Sequence, residues 1–168
     1  MTASHTEVDS HLHELLRPSG DPQSRASRDE ALGWLIAHAD ESFPIILARA
    51  RQPSPPVVLI AALPHFGRPE SVPVLAHLLS DADDPTTVVA AEALATHPGP
   101  EALTALEKAL SSPRDQVVAS AASALAVRND PAACASLYNA LSHPNNEVRD
   151  RIQSALQKLG CESDLQSH

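Results

Sequence analysis

Nine histidines and two cysteines carry the richest ligand and redox chemistry of this sequence, and their spacing limits what they can do. His11 and His13 form a His-x-His pair, but residues i and i+2 of a helix point to different faces. The pair could hold a metal only with ligands from elsewhere, and it reads as two surface histidines. Cys134 and Cys161 are too few and too far apart for a disulfide scaffold or a four-ligand zinc site, so both thiols are expected reduced in a cytoplasmic protein. Cys161 follows Gly160 with no His or Asp placed nearby to activate it. Ser-His-Asp arrangements, phosphate-binding glycine loops and Gly-x-Gly-x-x-Gly are absent, and the chain has only five glycines. No catalytic residue, metal or cofactor is expected.

The elements that position these residues come from a repeat. Ala-Leu pairs stand at Ala31-Leu32, Ala62-Leu63, Ala93-Leu94, Ala124-Leu125 and Ala155-Leu156, a constant step of 31 residues. Pro69, Pro100 and Pro131 keep the same step, as do Leu75, Leu106 and Leu137. Each unit divides into a first helix carrying the Ala-Leu pair, a short turn, a second helix opening near a proline, and a polar loop. Asp84, Asp115 and Asn146 are expected to cap the first helices, and Ser27-Arg28-Asp29-Glu30 has capping-box spacing. The predicted helices run over 6–16, 29–38, 42–51, 55–65, 69–80, 86–96, 100–111, 116–127, 131–142 and 147–159.

Apolar residues of the second helices form one stripe at helical period, Val72, Leu75, Leu78 and Leu79, then Leu103, Leu106 and Leu110, then Cys134, Leu137 and Leu141. No helix pair could bury that stripe alone, so the units must stack. In this register Cys134 aligns with Val72 and Leu103 and is expected to be an inert core residue. Stacking would bring His65 and His97 near one edge with His38 one unit earlier, although turns favour polar residues without any metal. Trp34 and Phe43 are expected to seal the N-terminal end. Residues 1–28 read as a capping helix and linker, 29–160 as the repeat domain and 161–168 as a flexible tail.

Composition agrees: Ala and Leu supply most of a 43% hydrophobic content while aromatics reach only 2%, as suits close-packed helices. The N-terminus lacks a basic stretch followed by an apolar one and no 18-residue apolar run occurs, so neither export nor membrane insertion is expected. The formal charge is −9. Residues 54–113 hold Glu70, Asp81, Asp83, Asp84, Glu92, Glu101 and Glu107 against Arg68 and Lys108. Such a surface repels nucleic-acid phosphates and steers a basic protein toward itself.

Asn146-Glu147-Val148-Arg149 leading to Ala155-Leu156 and Leu159-Gly160 resembles the HEAT-like repeats first associated with phycobilisome lyases. So does Pro69-Glu70-Ser71-Val72-Pro73-Val74-Leu75. The resemblance spans about residues 29–160 and implies an all-α, right-handed solenoid of about four and a half helix pairs. Such repeats serve scaffolds, bilin lyase subunits, di-iron hydroxylases and DNA glycosylases. The di-iron members place His-Glu dyads on successive helices, whereas only His13-Glu14 matches here, outside the repeats. The glycosylase-like members need a basic face, which the acidic middle opposes. Val118 and Thr87 stand where Arg149 sits in the last unit, so the arginine ladder of typical arrays is mostly missing.

The expected function is that of a non-catalytic protein-interaction module, a scaffold, adaptor or antidote-type binder, with a bilin lyase or isomerase subunit as the alternative. If the second helices line the concave side, as in HEAT-like arrays, the binding row comprises Glu70, Val74, His77, Glu101, Lys108 and Asn139. Glu107 flanks it and Tyr138 is its aromatic anchor. The expected partner is a protein, with a basic one favoured by charge, and neither nucleic acid nor membrane.

Overall fold

A computed structural model describes residues 3–18, 20, 22–81 and 84–161, with the side chain of Asp84 outside the description. Among these residues there is no strand. Helix α1 (His5–Leu16) opens on Ser4, whose hydroxyl accepts from the Glu7 amide while the Glu7 carboxylate accepts from the Ser4 amide at 2.8 Å. The Ser4 amide and the Ser4 hydroxyl both donate to the Glu7 carboxylate, at 2.8 and 2.7 Å, and hold it below its ordinary value. Val8, Leu12 and Leu15 form the buried face of α1, which packs on α2, α3 and α4.

Helix α2 runs from Pro22 to Ala37, so the expected linker before residue 29 is helical from Pro22 onward. Ser27 to Glu30 lie inside α2 and cap nothing. Pro22 suits the first turn, where an N–H has no intrahelical partner. Arg28 then reaches from α2 to the Leu15 carbonyl at 3.1 Å, closing the C-terminal end of α1. That tertiary bond is invisible to a composition-based reading.

The units follow as α2 with α3 (Ala39–Ala50), α4 (Val57–Ala62) with α5 (Ser71–Asp81), α6 (Asp84–Thr96) with α7 (Pro100–Ala109), α8 (Asp115–Arg128) with α9 (Cys134–Ala140), and α10 (Asn146–Lys158) as a half unit. Helix α4 tightens into a 3-10 turn over Leu63–Phe66, and another precedes α9 over Pro131–Ala133. Gly67 (φ 61°) and Asn129 (φ 56°) turn the chain through the left-handed region at two of the intra-unit turns. All five alanines of the 31-residue register are at most 3% exposed. Their leucines are buried too, apart from half-buried Leu32.

Helices α4, α6, α8 and α10 form one row and α3, α5, α7 and α9 the other, with the core between them. Helix α6 packs on α8 more extensively than α5 does on α7, because Ala90, Ala91, Ala121, Ala122 and Ala124 allow close approach. The expected cap positions move by one residue. Asn145 rather than Asn146 caps α10, accepting from the Glu147 amide at 2.9 Å. Arg114 rather than Asp115 occupies the cap position of α8. The Asp115 carboxylate instead takes the Asn145 amide and lies 3.6 Å from His143 Nε2, linking consecutive units.

Thr87 and Val118 are fully buried, which explains why no arginine stands there. Other arginines stitch the units. Arg128 donates to the carbonyls of His97 (2.6 Å) and Gly99 (3.0 Å) of the preceding unit, and Arg114 to that of Ser80 (2.6 Å). A guanidinium satisfies carbonyls that end a helix and complements the negative end of its dipole.

Candidate partner-binding face

Second helices bear small residues where they face one another, namely Ala76 and Ser80 on α5 and Ala105 and Ala109 on α7. Too little side-chain volume stands there to fill the space between neighbours, so grooves open along this row. One of about 530 Å³ lies between the end of α3, with Arg51, Gln52 and Pro53 of its loop, and Val74, His77 and Asp81 of α5. The next, of about 820 Å³, lies between α5 and α7 and is walled by His77, Asp81, Glu101, Thr104, Lys108 and Arg114. A third, of about 420 Å³, separates α7 from α9 and is lined by Glu107, Ser111, Ser112, Ser136, Asn139 and His143. His77 and Asp81 border the first two and Ser111 and Ser112 the last two, so the grooves succeed one another.

The polar groups along this path are arranged by local bonds. His77 Nδ1 lies 2.8 Å from the Asp81 carboxylate one turn on. The Ser136 hydroxyl donates to Glu107 at 2.8 Å across the α7–α9 groove. Glu101 and Lys108 are exposed and stand two turns apart on α7. The face therefore presents hydroxyls, the amides of Gln52 and Asn139 and charges of both signs, groups that can satisfy a polypeptide laid across them.

Of the expected row, His77, Glu101, Glu107, Lys108 and Asn139 line these grooves. Glu70 is exposed but precedes α5 and borders none of the three. Val74 also lines the first groove, but at 6% exposure it is packed into the core and offers a partner little surface. Tyr138 is half-buried against the core, and its hydroxyl donates to the Cys161 carbonyl at 2.8 Å. Its ring borders none of the three grooves.

The cysteines depart further from expectation. Cys134 and Cys161 form a disulfide, with Cα atoms 5.8 Å apart. Cys134 is thus neither an inert core residue nor a free thiol, and the inference from unpaired thiols to a cytoplasmic setting loses its premise. The local reason is a helix ending. Gly160 at φ 64° lets the Cys161 amide bond the Leu156 carbonyl at 3.0 Å and the Gly160 amide that of Gln157 at 3.2 Å. This turn doubles the chain back toward the start of α9. Cys161 thereby leaves the expected tail, and residues 162–168 lie outside the described ones.

The histidines do not converge. His97 is 1% exposed; its Nδ1 accepts from the Gly99 amide at 3.0 Å and its Nε2 donates to the Arg68 carbonyl at 3.2 Å. Both ring nitrogens are used by backbone, while His65 is exposed. His11 and His38 instead stack on the two faces of Trp34, at 3.9 and 4.0 Å between ring centroids. Among the described residues no three His, Cys, Asp or Glu side chains gather as metal ligands, and no helix is long and apolar enough to cross a membrane.

Sequence reading overlooked the loop residues Arg51–Pro53 and Ser111–Arg114 that wall the grooves, and the arginine stitches. A signal for one stitch was present, since Arg128 follows His97 by one repeat length.

No curated protein matches the sequence. The solved structure of human deoxyhypusine hydroxylase in complex with glycerol superposes with a TM-score of 0.61 over 95% of this chain, at 18% identity. The likeness is one of fold, and this chain spans 64% of the length of that one. The family model for HEAT repeats matches residues 43–126, half of the chain. The buried alanine-leucine register, the paired rows of helices and this match together establish that the chain belongs to the HEAT-repeat family.

Proposed function

We propose that the chain is a protein-interaction module that receives a polypeptide segment along its second-helix face. The observation that carries this reading is the succession of grooves from α3 to α9, each sharing lining residues with the next. A segment leaving one groove enters another, so modest contacts accumulate over a long path. The hydroxyls of Thr104, Ser111, Ser112 and Ser136 offer adaptable hydrogen bonds, and exposed Glu101 offers a carboxylate to a cation. A net charge of −9 favours a basic partner and opposes a phosphate backbone. The finer likeness to phycobilisome-lyase repeats, carried by Asn146 to Arg149, belongs to this reading and adds no catalytic residue to it.

Partners captured on the immobilised protein and identified by mass spectrometry supply the ligand, and calorimetric titration of variants supplies the test. Thr104→Arg fills the α5–α7 groove from an exposed position and should weaken binding at least about tenfold without lowering the melting temperature. Glu101→Lys should slow association and flatten its salt dependence. Unchanged affinity in both folded variants would remove this face from consideration. An absorbance shift on adding a linear tetrapyrrole would favour a bilin-handling subunit instead.

A further inference from the structure

We propose that Cys134 and Cys161 form a reversible thiol–disulfide switch that governs how firmly α9 is docked on the end of the stack. Helix α9 buries the fewest residues of the described α-helices. It has seven residues and buries Leu137 alone, whereas α8 buries seven residues and α5 six. So short a helix has little stability of its own and depends on what holds it in place. Its first residue, Cys134, is bonded to Cys161, just beyond the Schellman turn of α10. Helix α10, by contrast, is anchored on α8 through Val148, Ile152, Ala155 and Leu156 independently of that bond. The disulfide therefore ties the helix with the fewest buried residues to a secure one, and its loss is felt mainly by α9.

Both cysteines are half-buried rather than sealed in the core, and the chain has no third cysteine with which the bond could shuffle. Glutathione thiolate attacks one sulfur, forms a mixed disulfide and expels the other cysteine as a thiolate. A second glutathione displaces the remaining protein thiolate. Two electrons and, after proton uptake, two protons reach the protein, and one molecule of glutathione disulfide leaves. Glutathione disulfide drives the reverse. Undocking of α9 would also release the Ser136–Glu107 bond and one wall of the α7–α9 groove, but the switch itself does not rest on the partner reading.

The test uses the full chain equilibrated with defined ratios of reduced and oxidised glutathione, alkylated, and weighed intact. Hydrogen exchange is followed on the fully oxidised and fully reduced forms. The expected result is a mass shift of two alkyl groups between the end states, one on each thiol, with a midpoint inside the glutathione range. Exchange of the α9 amides should be faster in the reduced form on the order of a hundredfold, while α5 to α8 stay protected. Two alkylatable thiols at every ratio, a bond that survives every ratio, or equal α9 exchange in both forms would each overturn the switch. So would loss of protection throughout the chain, which would mark the bond as a staple of the whole fold. Cys134→Ser should exchange like the reduced form in either buffer even where Cys161 takes up one glutathione, and α9 protection in this variant that rises with the oxidised ratio would also overturn the switch. The comparison of the unaltered chain in two buffers needs no substitution to fold.

Discussion

Trp34 is the only tryptophan of the chain, and its indole lies between imidazoles from two other segments. His11 comes from α1 and His38 from the turn before α3; each fixes its ring by placing Nδ1 on the carbonyl four residues back, Glu7 at 2.8 Å and Trp34 at 2.9 Å. Aromatic stacking of this kind contributes about 0.5–1.5 kcal/mol beyond area burial. His11→Ala should therefore lower stability by about that much in urea melts and shift Trp34 emission to the red as water reaches one face. Unaltered emission would mean that the rings do not stack in solution. Trp34 is expected from its position to seal the N-terminal end, whereas His11, expected at the surface, stacks on the indole. The register of the repeats carries no signal for the full stack, because His38 lies one helical turn from Trp34 but His11 meets the indole only when α1 docks. Tyr138 teaches the same lesson, since its position beside Leu137 was legible while the carbonyl that its hydroxyl meets was not.

Helices α7 and α9 show what helical phase does and does not reveal. Leu106 repeats Leu75 and Leu137, and all three are fully buried. Leu106→Ala should cost about 2–5 kcal/mol as the cavity between helix rows is left unfilled. Its neighbour Glu107, which flanks the expected binding row, is half-buried and accepts the Ser136 hydroxyl of the next unit. Glu107→Ala should thus cost about 1.5–3 kcal/mol, the range for a hydrogen bond to a charged group. Ser136→Ala should cost a similar amount, and the two together less than their sum. Full additivity in denaturant melts would show that the bond contributes nothing. The starts and ends of elements were less legible than their phases. Helix α2 extends seven residues beyond its expected start because Arg28 joins it to the end of α1, and α9 loses its first turn to a 3-10 segment that opens on Pro131.

Across the whole molecule, α1 packs over the first units of the stack and α10 packs on α8 and α9. Helix α1 covers α2, α3 and α4 with Val8, Leu12 and Leu15, and each such side chain contributes about 1.5–3 kcal/mol on burial. Removal of residues 1–16 should lower stability by several times that unit and make the protein self-associate, as light scattering would detect. A stable monomer after truncation would show that α1 is dispensable. The 31-residue step by itself determines the class of fold, the number of units, the pairing of helices and the buried alanine-leucine register. Those properties are local and recur in every unit, so a period of buried alanines and leucines is enough to specify them. The tertiary structure alone revealed the Cys134–Cys161 bond, the Trp34 sandwich, the burial of Val74 and the grooves bordered by loop residues. Each depends on groups that come from different elements and approach only when the units stack, so no periodicity along the chain can announce it.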